Sequence, residues 1–303
     1  EIDLAVHSMK DLPTDLPDGL CVGAVPKREQ PCDVLISRDG LTLEQMHHGA
    51  RVGTSSLRRA AQLRAYRANL DVVPLRGNVD TRLRKVREGE VDAAILAGAG
   101  LSRLGLAHEI TQVLPSDIML PAPAQGALAI EVRENDAEII AFLARLEDPD
   151  SRITVTAERT FLAAMEGGCQ VPLGALATRH ADEVVLDACV CSVDGATILR
   201  CTAAAACKHP EEAGFKAAET LRALCTDGKD PVVRAVSAYL LEAYAGTDEG
   251  IRGTIDATRA ALKTAHNPAE WEHLVERQRS ELYVLILSKL LQDVTEWLYK
   301  ETS

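Results

Sequence analysis

A lysine and an aspartate stand side by side where an apolar segment near the start of the chain ends. The segment "DLAVHS" is predicted to be a buried strand, and Lys10 and Asp11 follow it before Pro13 ends the run. A carboxylate beside a cation at a strand end can steady a positive reaction intermediate or move a proton. An aspartate that only caps a turn is equally compatible with these residues, so the pattern alone leaves both roles open for Asp11.

Basic charge is concentrated between Arg51 and Arg87, where ten basic residues accompany two acids. Nine of the ten are arginines, and a guanidinium binds a carboxylate or a phosphate through two parallel hydrogen bonds. The arginines on helix faces are expected to be solvated. Four others follow predicted strands or begin predicted helices: Arg58, Arg59, Arg76 and Arg82. Ligands of open α/β sheets bind at that edge, so the pattern predicts a pocket for several carboxylates.

A cysteine in the stretch "EGGCQVPLGA" is the third candidate. Cys169 follows two glycines and precedes a proline, which predicts a constrained loop. An isolated cysteine is usually an inert small hydrophobe, but flanking glycines also allow a ligand to approach the backbone closely. Cys189 and Cys191 are two residues apart on a predicted strand, which indicates a buried pair on one face.

The amino-acid composition argues against several classes of protein. The net charge of −12 and the 3% of aromatic residues argue against a nucleic-acid or membrane binder. Eight cysteines in 303 residues, none in CxxC spacing, do not indicate a disulfide framework, and no metal site is predicted. Neither a signal peptide nor a transmembrane run is present in these residues, so a reducing, cytoplasmic setting is expected.

Alternating strands and helices position these residues. Strands are predicted over 33–37, 50–56, 70–75 and 91–97, with helices over 56–67 and 80–90 between them, which favours a parallel sheet with crossover helices. A further strand is predicted within 126–133, and a helix from Ser151 or Thr154. A hairpin over 182–205 that turns at "VDGAT", and a helix over 211–225, then predict a small α+β unit. The remaining tail has helical periodicity and no visible chemistry, which indicates a structural element or a partner surface.

Six motifs in order resemble one enzyme family. They are "VHSMKDLPT", "VGTSSLRR", "LRGNVDTRL", "LAGAGLSRLG", "LPAPAQGALAIEVR" and "TAERTFLAAMEGGCQVPLGA". From Glu1 to about Cys225 the chain is similar to hydroxymethylbilane synthases, also called porphobilinogen deaminases. The resemblance implies a transferase that condenses four porphobilinogen molecules with loss of ammonia and releases a linear tetrapyrrole. It also implies a dipyrromethane cofactor, joined by a thioether to Cys169.

The resemblance implies roles for further residues. Asp11 would assist deamination and stabilise the azafulvenium cation and the pyrrole N–H groups, while Lys10 and the arginines would hold acetate and propionate side chains. The partners implied are porphobilinogen and the growing oligopyrrole. The positions that match cofactor- and substrate-holding residues are Ser8, Lys10, Thr54, Ser56, Arg58, Arg59, Arg76, Gly77, Asn78, Arg82, Gln125, Gly126 and Arg133.

The family fold implies two α/β domains that resemble periplasmic binding proteins, and a small α+β domain. Residues 1–26 and 121–146 would form the first domain, 27–120 the second and 147–228 the third, with 229–303 as a helical extension. The family begins with a segment that this sequence does not contain, so we expect either a fragment or an incomplete first domain. In an incomplete first domain, apolar surface would be exposed or covered by the helical tail or a partner subunit, and the strand 126–133 would pair with the first strand. We also expect these 303 residues alone to be inactive.

Three other functions compete with this interpretation. A non-enzymatic binding module is compatible with the α/β halves but not with the "EGGCQVP" loop. A nucleic-acid binder would use the arginine-rich segment, against the acidic total charge. A degraded, inactive relative that serves as a scaffold is compatible with the missing segment.

Overall fold

The computed structural model describes residues 2–165 and 172–226, so the predictions for Cys169 and for the tail lie outside the described residues. The strands in these two ranges are β1 (Leu4–Ser8), β2 (Leu20–Ala24), β3 (Asp33–Ser37), β4 (Arg51–Gly53), β5 (Asp71–Val73), β6 (Ala93–Ala97), β7 (Gln112–Val113), β8 (Leu128–Arg133), β9 (Leu173–His180), β10 (Glu183–Cys191) and β11 (Ile198–Ala206). The α-helices are α1 (Leu57–Tyr66), α2 (Val79–Arg87), α3 (Gly98–Arg103), α4 (Ala137–Leu143), α5 (Pro149–Ala164) and α6 (Glu211–Thr226).

The first sheet is antiparallel and has β8 between β1 and β2. The predicted pairing of β1 with β8 is confirmed, with Ser8 opposite Leu128. The strand β2 was not predicted. Ile2, which precedes β1, and Leu4 and Val6 on one face of β1 are exposed, so the prediction of a buried strand is wrong for this face.

The second sheet has the order β5-β4-β6-β3-β7 and is mixed. Parallel pairing holds for β4 with β5 and with β6, because α1 and α2 are the crossover helices between these strands. The prediction of a parallel sheet is wrong for β3, which is antiparallel to both of its neighbours, and β7 was not predicted. Its five residues, however, agree with the predicted strand at both ends.

The third sheet is the antiparallel meander β9-β10-β11, which α5 and α6 cover. The predicted hairpin β10–β11 and helix α6 are confirmed, whereas β9 was not predicted. The helix α5 begins at Pro149, two residues before the earlier of its two predicted starts. The reason is its N-cap Asp148, whose carboxylate accepts a hydrogen bond from the Ser151 amide (2.8 Å), and a proline is favoured in the first helical turn.

The hairpin turn of the third sheet packs against α1 of the second. Arg64 donates to the carbonyl of Val193 (2.9 Å), and Gly195 is buried with a φ of +75°. A Cβ at Gly195 would lie 2.5 Å from the carbonyl oxygen of Ala61. Glycine is therefore required here both for the backbone conformation and for the close approach of the turn to the helix.

Candidate active site

Elements from all three sheets surround a cavity of about 240 Å³. The segment after β1, the first turns of α1, the crossing before β8, and the adjoining α5 and β9 each contribute to its wall. The lining residues are Lys10, Asp11, Ser56, Arg58, Arg59, Ala122, Pro123, Gln125, Leu162 and Leu173. Six of these ten were predicted as site residues from the sequence.

Lys10 and Asp11 lie on a single 3-10 turn that follows β1 directly. Met9 and Leu12 on either side of the pair are buried in the core, so the turn presents the two charged side chains together. Burial lowers the pKa of Lys10 and the nearby Arg59 lowers it further, while Asp11 and Asp33 oppose the shift. Asp11 is exposed at the cavity, and within the described residues its carboxylate makes no hydrogen bond or ion pair.

Arg58 and Arg59 are buried near the start of α1, where Ser56 is the N-cap. Both guanidiniums bind the fully buried Asp33: Arg58 Nη1 lies 2.7 Å from Oδ2, and Arg59 Nη2 lies 2.7 Å from Oδ1. Burial alone would raise the pKa of Asp33, but the charges of Arg58 and Arg59 outweigh it and hold the pKa well below its usual range. Asp33 is thus an ionised counter-ion that fixes both arginines.

Gln125 in the crossing connects the two groups of charges and is fully buried. Its amide nitrogen donates to Asp33 Oδ1 (2.9 Å) and to the carbonyl of Pro31 (2.7 Å). Its amide oxygen accepts from Lys10 Nζ and from Arg59 Nη2, each at 3.4 Å. The neutral side chain therefore joins the Lys10 turn to the arginine pair.

The crossing itself is held by a buried ion pair between Arg28 and Glu158. Arg28 binds both carboxylate oxygens of Glu158, at 2.7 and 2.9 Å, and donates through Nε to the carbonyl of Gln125. Glu158 also accepts from the amides of Ala124 (2.6 Å) and Ala177 (2.8 Å). Ala124 has a φ of +61°, a strained conformation for a residue with a Cβ, and its hydrogen bond to Glu158 opposes relaxation of this strain.

Two predicted residues on neighbouring strand ends do not line the cavity. Ser8 is the last residue of β1 and is exposed. Thr54 is buried after β4, and its hydroxyl accepts from the Ser56 amide at 3.2 Å. Thr54 therefore supports the start of α1 from behind the cavity wall.

The predicted residues around the start of α2 form a second group near the first. Asn78 is the N-cap of α2 and accepts from the amide of Thr81 (2.9 Å), while Arg82 donates to the carbonyl of Gly77 (2.8 Å). Arg76 is exposed. Burial lowers the pKa of Arg59, with Asp33 opposing the shift and the charges of Arg58 and Arg82 adding to it. The charge of Arg82 therefore reaches the buried arginines.

The structure does not bring Arg133 to the cavity. Leu128 and Arg133 are the first and last residues of β8 and lie about 17 Å apart along the strand. The guanidinium of Arg133 binds Asp3 (3.1 Å) and Asp136 (3.0 Å). Arg133 therefore forms surface ion pairs away from the cavity, and its role as a ligand-holding residue stays a prediction. Gly126 lies next to Gln125 but faces the backbone, because a Cβ there would lie 2.5 Å from the carbonyl oxygen of Glu29.

Sequence reasoning missed the acids that organise the site. Asp33 was interpreted only as the first residue of a strand, and Glu158 was not singled out within the motif that contains it. A weak signal exists in both cases, because an acid inside an apolar segment needs a partner when it is buried. The partners lie 25 and 130 residues away, at Arg58 and Arg28, and spacing does not reveal them.

The remaining cysteine prediction is confirmed, since Cys189 and Cys191 are fully buried with their sulfur atoms 4.0 Å apart. In residues 2–165 and 172–226, no cluster of three His, Cys, Asp or Glu side chains could hold a metal ion. The same ranges contain no helix that is long and apolar enough to cross a membrane. The cytoplasmic setting and the absence of nucleic-acid or membrane partners stay predictions.

Comparison with family models gives matches over most of the described chain. Residues 1–141 match porphobilinogen deaminase, dipyromethane cofactor binding domain, and residues 152–223 match porphobilinogen deaminase, C-terminal domain. A third model, described as an uncharacterised Treponema protein, matches residues 203–300.

Curated relatives give the same result. The porphobilinogen deaminase of Desulforudis audaxviator is 55% identical over 214 residues, which cover 71% of this chain and 69% of the relative. That of Brevibacillus brevis is 51% identical over 74% of this chain and 72% of its own. That of Nocardia farcinica is 45% identical over 90% of this chain and 78% of its own.

Among solved structures, the periplasmic aliphatic sulphonate binding protein SsuA from Escherichia coli matches 55% of this chain and 54% of its own. The identity is 16% and the TM-score is 0.31, so the assignment depends on the family models and the relatives. With these matches in sequence order over both parts of the described chain, the protein belongs to the porphobilinogen deaminase family.

Proposed function

We propose that the cavity between Lys10–Asp11 and Arg58–Arg59 is the site at which this chain condenses porphobilinogen. Porphobilinogen deaminases join four molecules of this substrate into hydroxymethylbilane and lose ammonia at each step. The substrate carries an acetate and a propionate, and the reacting pyrrole becomes a cation. The observation that supports the proposal is that three cations line one cavity together with Asp11, whose carboxylate has no partner in the part of the chain that the structure describes.

The cations suit the carboxylates of the substrate. Lys10, Arg58 and Arg59 face two acids, Asp11 and Asp33, which leaves one net positive charge at the cavity wall. The arginines are fixed by Asp33, so they are preorganised for an incoming carboxylate. The ammonium of Lys10 contacts Gln125 only at 3.4 Å, and a carboxylate offers it a shorter, charge-assisted hydrogen bond.

Asp11 suits the positive charge that develops when ammonia leaves. Its carboxylate is open to the cavity. An anion already in place at the point where a cation forms stabilises the transition state without further reorganisation. The same oxygens can accept hydrogen bonds from pyrrole N–H groups, which orients the ring before the reaction.

The donor set also fits the dipyrromethane cofactor that the family model implies. Its carboxylate side chains would bind Arg58, Arg59 and Lys10, and Asp11 would accept from its pyrrole N–H groups. When bound, the group supplies the covalent starting point for chain growth. Leu162 of α5 and Leu173 of β9 line the cavity, and these two elements flank the stretch that contains Cys169. We propose Cys169 as the attachment residue.

Replacement of Asp11 by asparagine tests the proposal. Asp11→Asn keeps the size and removes the charge, so turnover is expected to fall at least about a hundredfold, as for other positioned acid–base groups. Turnover is measured in a form that also carries the opening segment of the family, because the 303 residues alone are expected to be inactive. Porphobilinogen consumption is followed together with uroporphyrin after oxidation. Asp18→Asn, an exposed acid that does not line the cavity, is the matched control and should keep full turnover.

Intact mass reports separately on the cofactor. In the form that carries the opening segment, the intact mass should exceed the sequence mass by one dipyrromethane, and Cys169→Ser should remove the excess. Near-normal turnover of Asp11→Asn would overturn the role of Asp11. An active chain with an unmodified Cys169 would overturn the attachment.

A further inference from the structure

The guanidinium of Arg159, on α5, donates hydrogen bonds to four backbone carbonyls of the segment that contains Lys10 and Asp11. Arg159 Nη1 donates to the carbonyl of Met9 (3.2 Å) and to that of Leu12 (2.9 Å). Its Nη2 donates to the carbonyls of Pro13 (2.5 Å) and Thr14 (3.5 Å). A single side chain thereby fixes the path of six consecutive residues.

The four carbonyls lie on both sides of Lys10 and Asp11 in the sequence. Met9 precedes Lys10, and Leu12 to Thr14 follow Asp11, while the carbonyls of Lys10 and Asp11 themselves are not used by Arg159. The planar fork of the guanidinium holds both ends of the turn at a fixed separation, which a point charge cannot do. The direction in which Asp11 enters the cavity therefore depends on Arg159.

Within the described residues, no carboxylate lies within ion-pair distance of the Arg159 guanidinium. Burial lowers the pKa of Arg159, and the charge of the more distant Asp15 opposes this shift without forming an ion pair. Arg152, two turns earlier on α5, binds both oxygens of Glu147, at 2.7 and 3.0 Å. A half-buried cation bound only to carbonyls loses hydration without the gain of an ion pair. The hydrogen bonds of Arg159 instead stabilise the conformation of residues 9–14.

Apolar packing holds only part of the segment against α5: Met9 and Leu12 share a buried cluster with Val155. A second cavity, of about 280 Å³, separates part of the segment from α5. It is lined by Met9, Thr14, Leu16, Val22, Arg152, Thr156, Arg159, Thr160 and Ala163. Apolar contact between the segment and this face of α5 is therefore incomplete, and the guanidinium spans the gap.

We propose that Arg159 is a positioning residue, which sets the geometry of Lys10 and Asp11 in the active site without contacting the substrate. This inference rests on the proposed function of Asp11. Arg159→Met keeps an unbranched apolar stem and removes all four hydrogen bonds. Displacement of a reacting group by about 1 Å can cost about a hundredfold in rate, so a loss of this order in kcat is expected. The KM should change less, because Arg58 and Arg59 remain in place.

Hydrogen–deuterium exchange on the full chain tests the structural half of the proposal without any turnover. In Arg159→Met, peptides that contain residues 9–14 should exchange at least about tenfold faster, while those from β3 and α1 stay unchanged. Arg152→Met removes the other arginine that lines the second cavity and is the matched control, with unchanged exchange in residues 9–14. Equal protection of residues 9–14 in Arg159→Met and in the unsubstituted chain would overturn the proposal.

A double-mutant cycle on the holoenzyme tests the functional half. If Arg159 acts through Asp11, Arg159→Met should cost little further turnover in an Asp11→Asn background. Additive losses would show that the effect of Arg159 is independent of Asp11 and would overturn the positioning role. Arg159→Lys should recover part of kcat and of the exchange protection, and it gives the same two readouts should the methionine variant not fold. Normal turnover of Asp11→Asn alone would instead refute the proposed function.

Discussion

Removal of the charge of Asp33 is the most direct test of how the active site is held together. Its carboxylate is fully buried and accepts four hydrogen bonds, one from Arg58, two from Arg59 and one from Gln125. In Asp33→Asn one oxygen remains, and the new amide group points donors at guanidinium donors. The substitution keeps the volume of the side chain and leaves two buried cations without their counter-ion.

The expected loss of stability follows from that geometry. Removal of one partner from a buried ion pair costs about 3–5 kcal/mol, because the other charge stays buried and uncompensated. For a protein of this size the loss corresponds to a fall in Tm of roughly 6–20 °C. Thermal unfolding followed by circular dichroism at neutral pH measures it directly. Asp39→Asn is the matched control: Asp39 is exposed, binds Arg38 at 3.3 Å, and should show no measurable change in Tm.

The pH dependence of the stability difference between the unsubstituted chain and Asp33→Asn tests whether that difference is electrostatic. Arg58 and Arg59 hold the pKa of Asp33 in the folded state below that of the unfolded chain, which is about 3.9. The stabilisation is therefore complete above about pH 4 and is lost as the pH falls, by about 1.4 kcal/mol per pH unit, because the unfolded state binds a proton first. The difference in unfolding free energy between the unsubstituted chain and Asp33→Asn should be constant from about pH 7 to about pH 5. It should shrink below about pH 4. An unchanged Tm, or a difference that does not vary down to about pH 3, would refute the counter-ion role.

Two further predictions concern the stability lost by burying Lys10 in the site and the packing of the third sheet against α1. Lys10→Met should raise the Tm at neutral pH, because burial disfavours the charged ammonium of Lys10. The same variant should show a higher KM for porphobilinogen. A lower Tm would contradict this account. Gly195→Ala should lower the Tm by several degrees, since the new Cβ would lie 2.5 Å from a carbonyl oxygen of α1. Gly40→Ala is its control, with a φ of +69° and no atom within 4 Å of the new Cβ, and an equal loss in both variants would remove the clash from the explanation.

Local sequence pattern was sufficient for the elements that have a clear period or cap. The apolar run at β3 and the capped start of α1 are examples, and both were predicted close to their observed bounds. The direction of β3 was not predictable in this way, because hydrophobic periodicity is identical for parallel and antiparallel strands. The strand β9 was missed because its sequence follows glycines and a proline, which are typical of a loop.

For the site, the sequence supplied the charged groups that lie at strand and helix ends but not their partners. Lys10, Asp11, Arg58 and Arg59 line one cavity, as their positions after strands suggested. Arg133 also follows a strand, yet β8 is antiparallel to β1, so its last residue lies at the far edge of the sheet. Whether a strand end faces the site depends on strand direction, which the pattern did not provide.

The chemistry of Gln125 explains how a site built from three sheets remains one unit. The position has to bind the carboxylate of Asp33 on one side and the cations Lys10 and Arg59 on the other. A carboxylate there would repel Asp33, and an ammonium would repel both cations, whereas an amide donates with one end and accepts with the other. Because the amide is fully buried and three of its four partners are charged, those three hydrogen bonds are stronger than neutral ones. The carbonyl of Gln125 is held in turn by Arg28, whose guanidinium binds Glu158 of α5. A displacement of any one sheet would therefore break charge-assisted hydrogen bonds at this residue, and the relative placement of Asp11 and the arginines is coupled to the stability of the fold.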